Sequence, residues 1–420
     1  MWRMLRRTKH CLLLLGLAAS LTLPLSRAEE PAPEPVKRRV TPDQLQSIWK
    51  SLGSEDWVER CFAAAETAKC NEMKVMLLLQ QRLEKETDAR VTGMIYESLA
   101  TWPGDDLVLL FTAADVDAQL KNFAEAKTRL AHDAALTWLT KMLHIELPDD
   151  PRDIAGVWKN TRKKWEEDRA AKLKTYTEQN GTPPLLPADF TQDPAAKTIM
   201  RDDVARALAN FRKAGLEVAL SIEPSSHTQE LAECGRGVAQ VWKDVSKSFA
   251  LGLVTINSDG VDVRLDPTDD MDKIAKFTAR LSSGSDSNGL PYVPLDRVLE
   301  FIEGKFSWDK KTVKHLFVIG NRGVEKVLIA KTVSRIKVAT TIGFVVSFFS
   351  INQGSESAPR RVDNYDDFAR QGGGIDLIIK KDTPVAATLC AGVFGPDAFS
   401  HCIDVCDALI RANVEYKRKR

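Results

Sequence analysis

The chain has 420 residues, enough for two or three domains, and its 44% hydrophobic and 28% charged residues are typical of globular proteins. A formal charge of +1 gives no basic excess, so nucleic acid is not an expected partner. Beyond residue 28 there is no uninterrupted apolar run of about 18 residues, so no later transmembrane helix is predicted.

Residues 1–28 predict a secretory signal peptide. A basic start is followed by a short apolar core over residues 11–25, and Ser26 and Ala28 are small residues at positions −3 and −1 of a cut after Ala28. An uncleaved membrane-surface anchor is the alternative. Cleavage removes five basic residues and takes the formal charge from +1 to −4: Arg3, Arg6, Arg7, Lys9 and Arg27.

Export permits disulfide bonds. Six cysteines follow the leader: Cys61, Cys70, Cys234, Cys390, Cys402 and Cys406. None has the Cys-x-x-Cys spacing of zinc sites, so zinc is not expected. The spacing leaves the disulfide pairing open, and buried free thiols are an equally good interpretation.

Residues 29–40 predict a Pro-rich spacer that cannot bury a core. Thr41 and Pro42 predict a helix start. From there to residue 147, apolar residues recur at helical spacing in segments of about 12 to 16 residues. We therefore predict a helical domain over residues 41–179.

Two segments of this region, residues 51–60 and 86–91, place an acid shortly before an arginine at a helix start. They resemble HEAT repeats, in which an aspartate caps a helix and an arginine pairs with its neighbour. The resemblance covers about 100 residues, and a plain helical bundle is the alternative.

Residues 149–179 predict one long charged helix, with Trp158 and Trp165 on the same face. We expect these tryptophans to be packing anchors rather than a ligand platform. Glycine and prolines then interrupt the pattern, so residues 180–200 are predicted to be a linker.

After the linker, short apolar runs alternate with amphipathic segments. Strands are predicted at residues 216–222, 251–257, 261–265, 315–319, 340–349 and 375–380, and helices at 203–213, 227–248, 269–281, 295–302, 324–336 and 365–371. This alternation predicts a doubly wound, mainly parallel, Rossmann-like α/β sheet with one antiparallel hairpin. The fold class is thus a helical array followed by an α/β domain at residues 201–390, with a C-terminal helix and basic tail at 391–420.

The order of elements in residues 201–381 resembles a von Willebrand factor A (vWA) domain. Residues 218–223 resemble its first strand, 284–288 its second metal loop, 315–321 its fourth strand and third metal loop, 338–344 its fifth strand and 368–374 its last turn. Together with the HEAT-like region, this resemblance implies an exported bacterial protein of the periplasm or the extracellular space.

The vWA resemblance implies a metal-ion-dependent adhesion site, whose pattern is Asp-x-Ser-x-Ser with a Thr and a second Asp. Such a site binds Mg²⁺ through hard oxygen ligands and leaves one position for an acidic partner residue. The corresponding residues here are Glu223, Ser225, Asp286 (or the adjacent Ser285) and Asn321. His227 stands at the second Ser, where a nitrogen donor suits Mg²⁺ poorly.

The departures from this pattern lead to two hypotheses. In the first, the site is degenerate, and the same surface binds partners without a cofactor. In the second, Glu223, Ser225, Asp286 and Asn321 still bind Mg²⁺ or Ca²⁺ weakly. A zinc site at His227 would need nitrogen or sulfur partners, and the spacing supplies none.

No catalytic arrangement is recognisable in the sequence. Gly-x-Ser-x-Gly and Gly-rich phosphate loops are absent, and His132, Asp133 and His401 lie in predicted helices. We therefore predict a non-enzymatic protein-interaction or scaffold protein of the bacterial envelope, with unidentified protein partners. The alternatives are a cation-dependent adhesion domain and an envelope hydrolase with an unrecognised site.

Overall fold

A computed structural model of the chain describes residues 39–414, apart from 125, 127, 186–192, 224–227, 258–259, 282–291, 353, 356–357 and 381. Of Pro151 and residues 228–236 only the backbone is described. The predicted signal peptide, nearly all of the spacer and the basic tail lie outside these residues. No helix among the described residues is both long and apolar enough to span a membrane.

Eight helices form the N-terminal region: α1 (Pro42–Leu52), α2 (Trp57–Thr67), α3 (Met73–Leu83), α4 (Ala89–Ala100), α5 (Gly104–Leu110), α6 (Ala113–Ala124), α7 (Arg129–Leu143) and α8 (Pro151–Asn180). The first begins as predicted, because Thr41 and Gln44 form a reciprocal capping box ahead of Pro42. Short polar turns join the helices, so the region is helical throughout, as the sequence indicates.

The acid–arginine segments form the local contacts that suggested HEAT repeats. Asp56 caps α2 and Asp88 caps α4 through their carboxylates. Arg60 reaches from α2 to Glu86, just ahead of α4, with 2.9 Å between Nε and Oε2. The Arg60 contact ties α2 to the turn ahead of α4, and membership of the HEAT repeats stays a prediction.

Helix α8 is held by its two tryptophans. The Trp158 indole N–H donates to Asp117 Oδ1 (2.7 Å), and the Trp165 indole N–H donates to the Met142 carbonyl (3.1 Å). Both side chains are buried, and their rings meet edge to face at 5.5 Å. They are packing anchors, as the sequence predicts.

The second half of the chain builds one six-stranded sheet. Its strands are β1 (Leu216–Ile222), β2 (Phe249–Asn257), β3 (Gly260–Thr268), β4 (Val313–Gly320), β5 (Phe344–Ile351) and β6 (Gly373–Ile379). Their order is β3-β2-β1-β4-β5-β6, and only β3 is antiparallel to its neighbour. This is a doubly wound order, so the predicted fold class is confirmed.

The helices of this half are α9 (Asp202–Ala214), α10 (Thr228–Val245), α11 (Met271–Leu281), α12 (Leu295–Lys305), α13 (Ile329–Thr341), α14 (Tyr365–Gly372), α15 (Val385–Gly392) and α16 (Phe399–Ala412). They cover both faces of the sheet, as the alternating sequence pattern predicts. A 3₁₀ turn, Lys326–Leu328, precedes α13.

The predicted fifth strand is wrong at its start. Residues 338–344 resemble a strand, yet residues 338–341 belong to α13, and β5 begins only at Phe344. Valine and threonine fit both periods, but here the Thr340 and Thr341 hydroxyls each donate to the Lys337 carbonyl at 2.8 Å. Gly343, with φ of +97°, then turns the chain into the strand.

The helical region and the sheet share one hydrophobic core. A continuous buried cluster runs from α1–α8 through α15 and α16 to one face of the sheet, and a second cluster lies on the opposite face under α12–α14. The described residues form one compact unit. Among the described residues, four ion pairs join the two regions: Arg212–Asp56 (2.7 Å), Arg90–Asp244 (3.2 Å), Arg411–Glu97 (2.6 Å) and Lys69–Asp404 (3.7 Å). The boundaries of the domains stay a prediction.

Five of the six cysteines are free, buried thiols: Cys61, Cys70, Cys390, Cys402 and Cys406. The side chain of Cys234 lies outside the description. Burial raises the pKa of the Cys61 and Cys402 thiols, which keeps them protonated and unreactive as nucleophiles.

Truncating Trp165 tests its anchoring of α8. We expect Trp165→Ala to lower the free energy of unfolding by about 3 to 5 kcal/mol, because it removes a buried ring. Trp165→Phe keeps most of the apolar area but loses the donor to the Met142 carbonyl, so about 1 to 2 kcal/mol is expected. Urea unfolding followed by circular dichroism measures both, and equal losses would contradict the ranking.

Glu303 on α12 gives a pH-dependent stability. Its side chain is 8% exposed, and burial raises its pKa from 4.5 to about 7 although Arg335 lies 3.7 Å away. The folded state holds this proton more tightly than the unfolded state does. Stability from this group is therefore complete below pH 4.5 and is lost as the pH rises through about 7.

We expect the free energy of unfolding of the wild type to fall by about 2 kcal/mol between pH 4.5 and about 7 because of this group. The Glu303→Gln variant should not show this fall. The measurement is the urea midpoint of wild type and variant across that range. Glu300→Gln is the matched control, because that carboxylate contacts the same arginine but is 55% exposed. Parallel curves for wild type and Glu303→Gln would contradict the assignment.

Candidate functional site

The candidate site lies at the carboxyl edge of the sheet, between β1 and β4. Glu223 directly follows β1, and Asn321 directly follows β4. These neighbouring parallel strands lead to opposite sides of the sheet, so their carboxyl ends form the topological switch point. Doubly wound sheets bind ligands in the crevice at such a point. Two of the four predicted ligands are therefore neighbours.

The Glu223 carboxylate is buried, and both of its oxygens accept hydrogen bonds. Its side chain is 1% exposed. Oε2 accepts hydrogen bonds from the backbone N–H groups of Asn321 (2.8 Å) and Arg322 (3.1 Å). Oε1 accepts from the Arg322 guanidinium Nε in a close ion pair. The Arg322 side chain, in the loop after β4, thus balances the charge of Glu223.

Gly320 and Tyr365 enclose this ion pair. A Cβ atom on Gly320 would lie 2.7 Å from Glu223 Oε2 and 2.8 Å from the Tyr365 hydroxyl, so only glycine allows the approach. The Tyr365 hydroxyl lies 3.5 Å from the Arg322 carbonyl. Burial, and then the Glu223 charge, raise the pKa of Tyr365, so its phenol remains neutral.

The described residues fit a metal ion poorly. Asn321 Oδ1 is buried and has no hydrogen-bond partner among the described residues, which suits an oxygen ligand. Glu223, however, already contacts a guanidinium, whose positive charge repels a cation at the same oxygens. Ser225 and Asp286 lie outside the described residues, as do His227 and Ser285. The predicted Mg²⁺ or Ca²⁺ site stays a prediction.

No group of three or more His, Cys, Asp or Glu side chains with metal-binding geometry occurs within the described parts of the chain. The segment that holds Asp286 lies outside these parts.

A cleft of about 820 Å³ opens beside the ion pair. It lies between the loop after β4, the start of α13 and the segment that leads from β5 to α14. The residues that line it are Tyr292, Asn321, Arg322, Gly323, Val324, Lys326, Ile329, Arg360, Arg361, Val362, Asp363, Asn364 and Asp366. Its size is within the range of ligand-binding pockets.

The charges in this cleft divide into paired and unpaired groups. Arg322 pairs with Glu223, and Arg361 Nε contacts Asp376 Oδ2 at 2.8 Å. Arg360 and Lys326 contact no carboxylate among the described residues, and both residues are exposed. Two acids, Asp363 and Asp366, also line the walls, and Asp366 lies in the first turn of α14, where the helix dipole favours it.

His132 and His401, which are not expected to be catalytic, pack against neighbouring residues. His132 is buried, with Nδ1 3.0 Å from Asp133 Oδ1 and Nε2 3.1 Å from the Asp149 carbonyl. The His401 ring stacks on Phe62 at 4.9 Å. Neither lines the cleft.

Sequence reasoning missed four residues of the site: Arg322, Tyr365, Lys326 and Arg360. Arg322 follows Asn321 directly, so an arginine beside a candidate metal ligand was a visible signal. Lys326 and Arg360 had none, because they are far apart in the chain and only the order of the strands brings their loops together.

Comparison with solved structures gave matches, whereas neither the protein-family models nor the curated proteins gave one. BatB from Bacteroides thetaiotaomicron is 14% identical, and the match covers 44% of this chain and 98% of BatB with a TM-score of 0.32. An aerotolerance-related membrane protein from Bacteroides fragilis is 15% identical, and the match covers 45% of this chain and 98% of that protein with a TM-score of 0.32. A von Willebrand factor type A protein from Catenulispora acidiphila is 14% identical, and the match covers 46% of this chain and 42% of that protein with a TM-score of 0.30.

The ion pair is tested by a double-mutant cycle. We expect Glu223→Ala to lower the free energy of unfolding by about 3 to 5 kcal/mol, because it leaves a largely buried guanidinium without its counter-ion. Adding Arg322→Ala should recover part of this loss. Urea unfolding measures each variant, and Glu325→Ala, an exposed acid of the same loop, is the control. Strictly additive losses would show that the two side chains do not interact.

Proposed function

We propose that this chain is a non-enzymatic interaction protein, with a vWA-like domain that binds a protein partner at the carboxyl edge of its sheet. One observation carries the proposal: the cleft at the switch point lies beside a buried acid whose charge is already balanced by Arg322. A cleft of this kind can receive a partner without a bridging cation. A scaffold role in the bacterial envelope, after export, belongs to the same proposal.

The vWA resemblance and the sheet order support this role together. The sequence placed Glu223 and Asn321 at corresponding positions of the vWA metal site, and these residues lie at the ends of neighbouring strands. The edge that holds a metal in vWA domains is thus retained as a surface, while Glu223 has an internal counter-ion.

A cation-dependent adhesion domain is the second candidate, and Asn321 favours it. Its Oδ1 atom is buried without a hydrogen-bond partner in the described part of the chain, as a metal ligand would be before binding. For Glu223 to join it, the Arg322 side chain would have to leave the carboxylate. The two candidates therefore differ in what Arg322 does.

Calorimetric titration with Mg²⁺, Ca²⁺ and Mn²⁺ separates them. We expect no binding to the wild type, because the guanidinium repels the cation. Arg322→Ala should gain weak binding, with a dissociation constant on the order of 10⁻³ M, because Glu223 and Asn321 are then available. Arg206→Ala, an exposed arginine on α9, should remain without binding.

Wild-type binding that disappears in Glu223→Ala, in protein shown to be folded by circular dichroism, would favour the cation-dependent candidate. A protein partner whose capture requires added Mg²⁺ or Ca²⁺ would favour it as well.

A further inference from the structure

We propose that the cleft binds a peptide segment with a single carboxylate directly, through Arg360 and Lys326, while Arg322 serves the site as an internal cation. This inference rests on the proposed function, because it specifies the partner that the same edge binds. It assigns recognition to two residues outside the predicted metal loops.

The first step concerns the available positive charge. Four cations line the cleft. Two of them, Arg322 and Arg361, form ion pairs with Glu223 and Asp376. Asp376 is 10% exposed at the side chain, and burial raises its pKa, while the Arg361 charge, 2.8 Å away, acts in the opposite direction and favours the ionised carboxylate. Arg360 and Lys326 have no such partner among the described residues and are exposed. They are the groups that can pair with an incoming anion.

The second step concerns how these two side chains are held. The Arg360 backbone N–H donates to Asn352 Oδ1 at 3.0 Å, which fixes the loop after β5. Two residues on, the Val362 N–H donates to the buried Ser350 hydroxyl at 3.0 Å. Lys326 begins the 3₁₀ turn ahead of α13. The Arg360 backbone is thus tied to β5, and Lys326 extends from a regular turn, so less entropy is lost on binding.

The third step decides between a single carboxylate and a polyanion. Asp363 and Asp366 line the same cleft, so a ligand with several negative charges, such as a polyphosphate or a nucleic acid, would be repelled by them. One carboxylate that pairs with Arg360 or Lys326 meets less of that repulsion. Arginine also binds a planar carboxylate with two parallel hydrogen bonds.

The fourth step concerns apolar contact. Tyr292 lines the cleft with 47% of its surface exposed, and Val327, next to Lys326, is 77% exposed. Both are among the few large hydrophobic residues that are exposed in the described parts of the chain. Aromatic residues and arginines are enriched in protein interfaces, and Tyr292 and Arg360 both line the cleft. The ligand is therefore a peptide segment with an apolar residue beside its acid.

The test is selection from a random dodecapeptide library displayed on phage, with immobilised full-length protein, in the presence of EDTA. We expect the wild type to enrich peptides in which Asp or Glu adjoins an apolar residue. One enriched peptide and its version with Gln or Asn at the acid are then titrated calorimetrically. The acidic peptide should bind at least ten times more tightly.

The double variant Arg360→Gln/Lys326→Gln should lose at least tenfold in affinity for this peptide. Its thermal unfolding should match the wild type, because both side chains are exposed. Arg206→Gln/Lys276→Gln is the matched control, with two exposed cations on α9 and α11, and should bind as the wild type does.

Other outcomes overturn the proposal in distinguishable ways. Enriched peptides without an acid, or with unchanged affinity for the double variant, would refute the carboxylate assignment and leave the interaction role standing. Enrichment only with added Mg²⁺ or Ca²⁺ would favour the cation-dependent candidate. Inorganic pyrophosphate that binds more tightly than the peptide would assign the cleft to small polyanions. No enrichment under any condition would refute the interaction role as well.

Discussion

The buried carboxylate of Glu223 is the constraint on which the rest of the site depends. It follows the central strand of the sheet and is 1% exposed, so an unbalanced charge there would cost several kcal/mol. Arg322 and two backbone N–H groups balance it from the loop after β4. Gly320 is required because the carboxylate and the Tyr365 hydroxyl occupy the space of a Cβ atom. One ion pair thus fixes the course of the loop that forms a wall of the cleft.

A covalently attached cation differs from a bound metal in its consequences for ligand binding. A guanidinium does not dissociate, so the balance of charge at Glu223 is independent of the cation concentration in solution. It has a fixed fork of donors instead of an open coordination position. A ligand at this edge must therefore be bound by other groups, and Arg360 and Lys326 are the cations of the cleft that hold no carboxylate of the described chain.

Much of the fold could be predicted, because it depends on local periodicity. Alternating apolar runs predicted the doubly wound sheet, and the spacing of Trp158 and Trp165 predicted the anchored face of α8. The start of β5 could not be predicted, because Thr340 and Thr341 suit a strand as well as the helix they close. The cleft depends on contacts between loops far apart in the chain. Glu223 and Asn321 were found through the vWA pattern, whereas that pattern has no position for Arg322.

The position of the cleft follows from how the chain divides its sheet between two cores. One face packs against α10, α15 and α16 and, through them, shares a core with the helical region. The other face packs under α12–α14 in a separate cluster, and the apolar residues at the base of the cleft, Val324 and Val362, belong to it. No residue of α1–α8 lines the cleft. The helical region therefore stabilises the sheet from the opposite face and leaves this edge open to a partner.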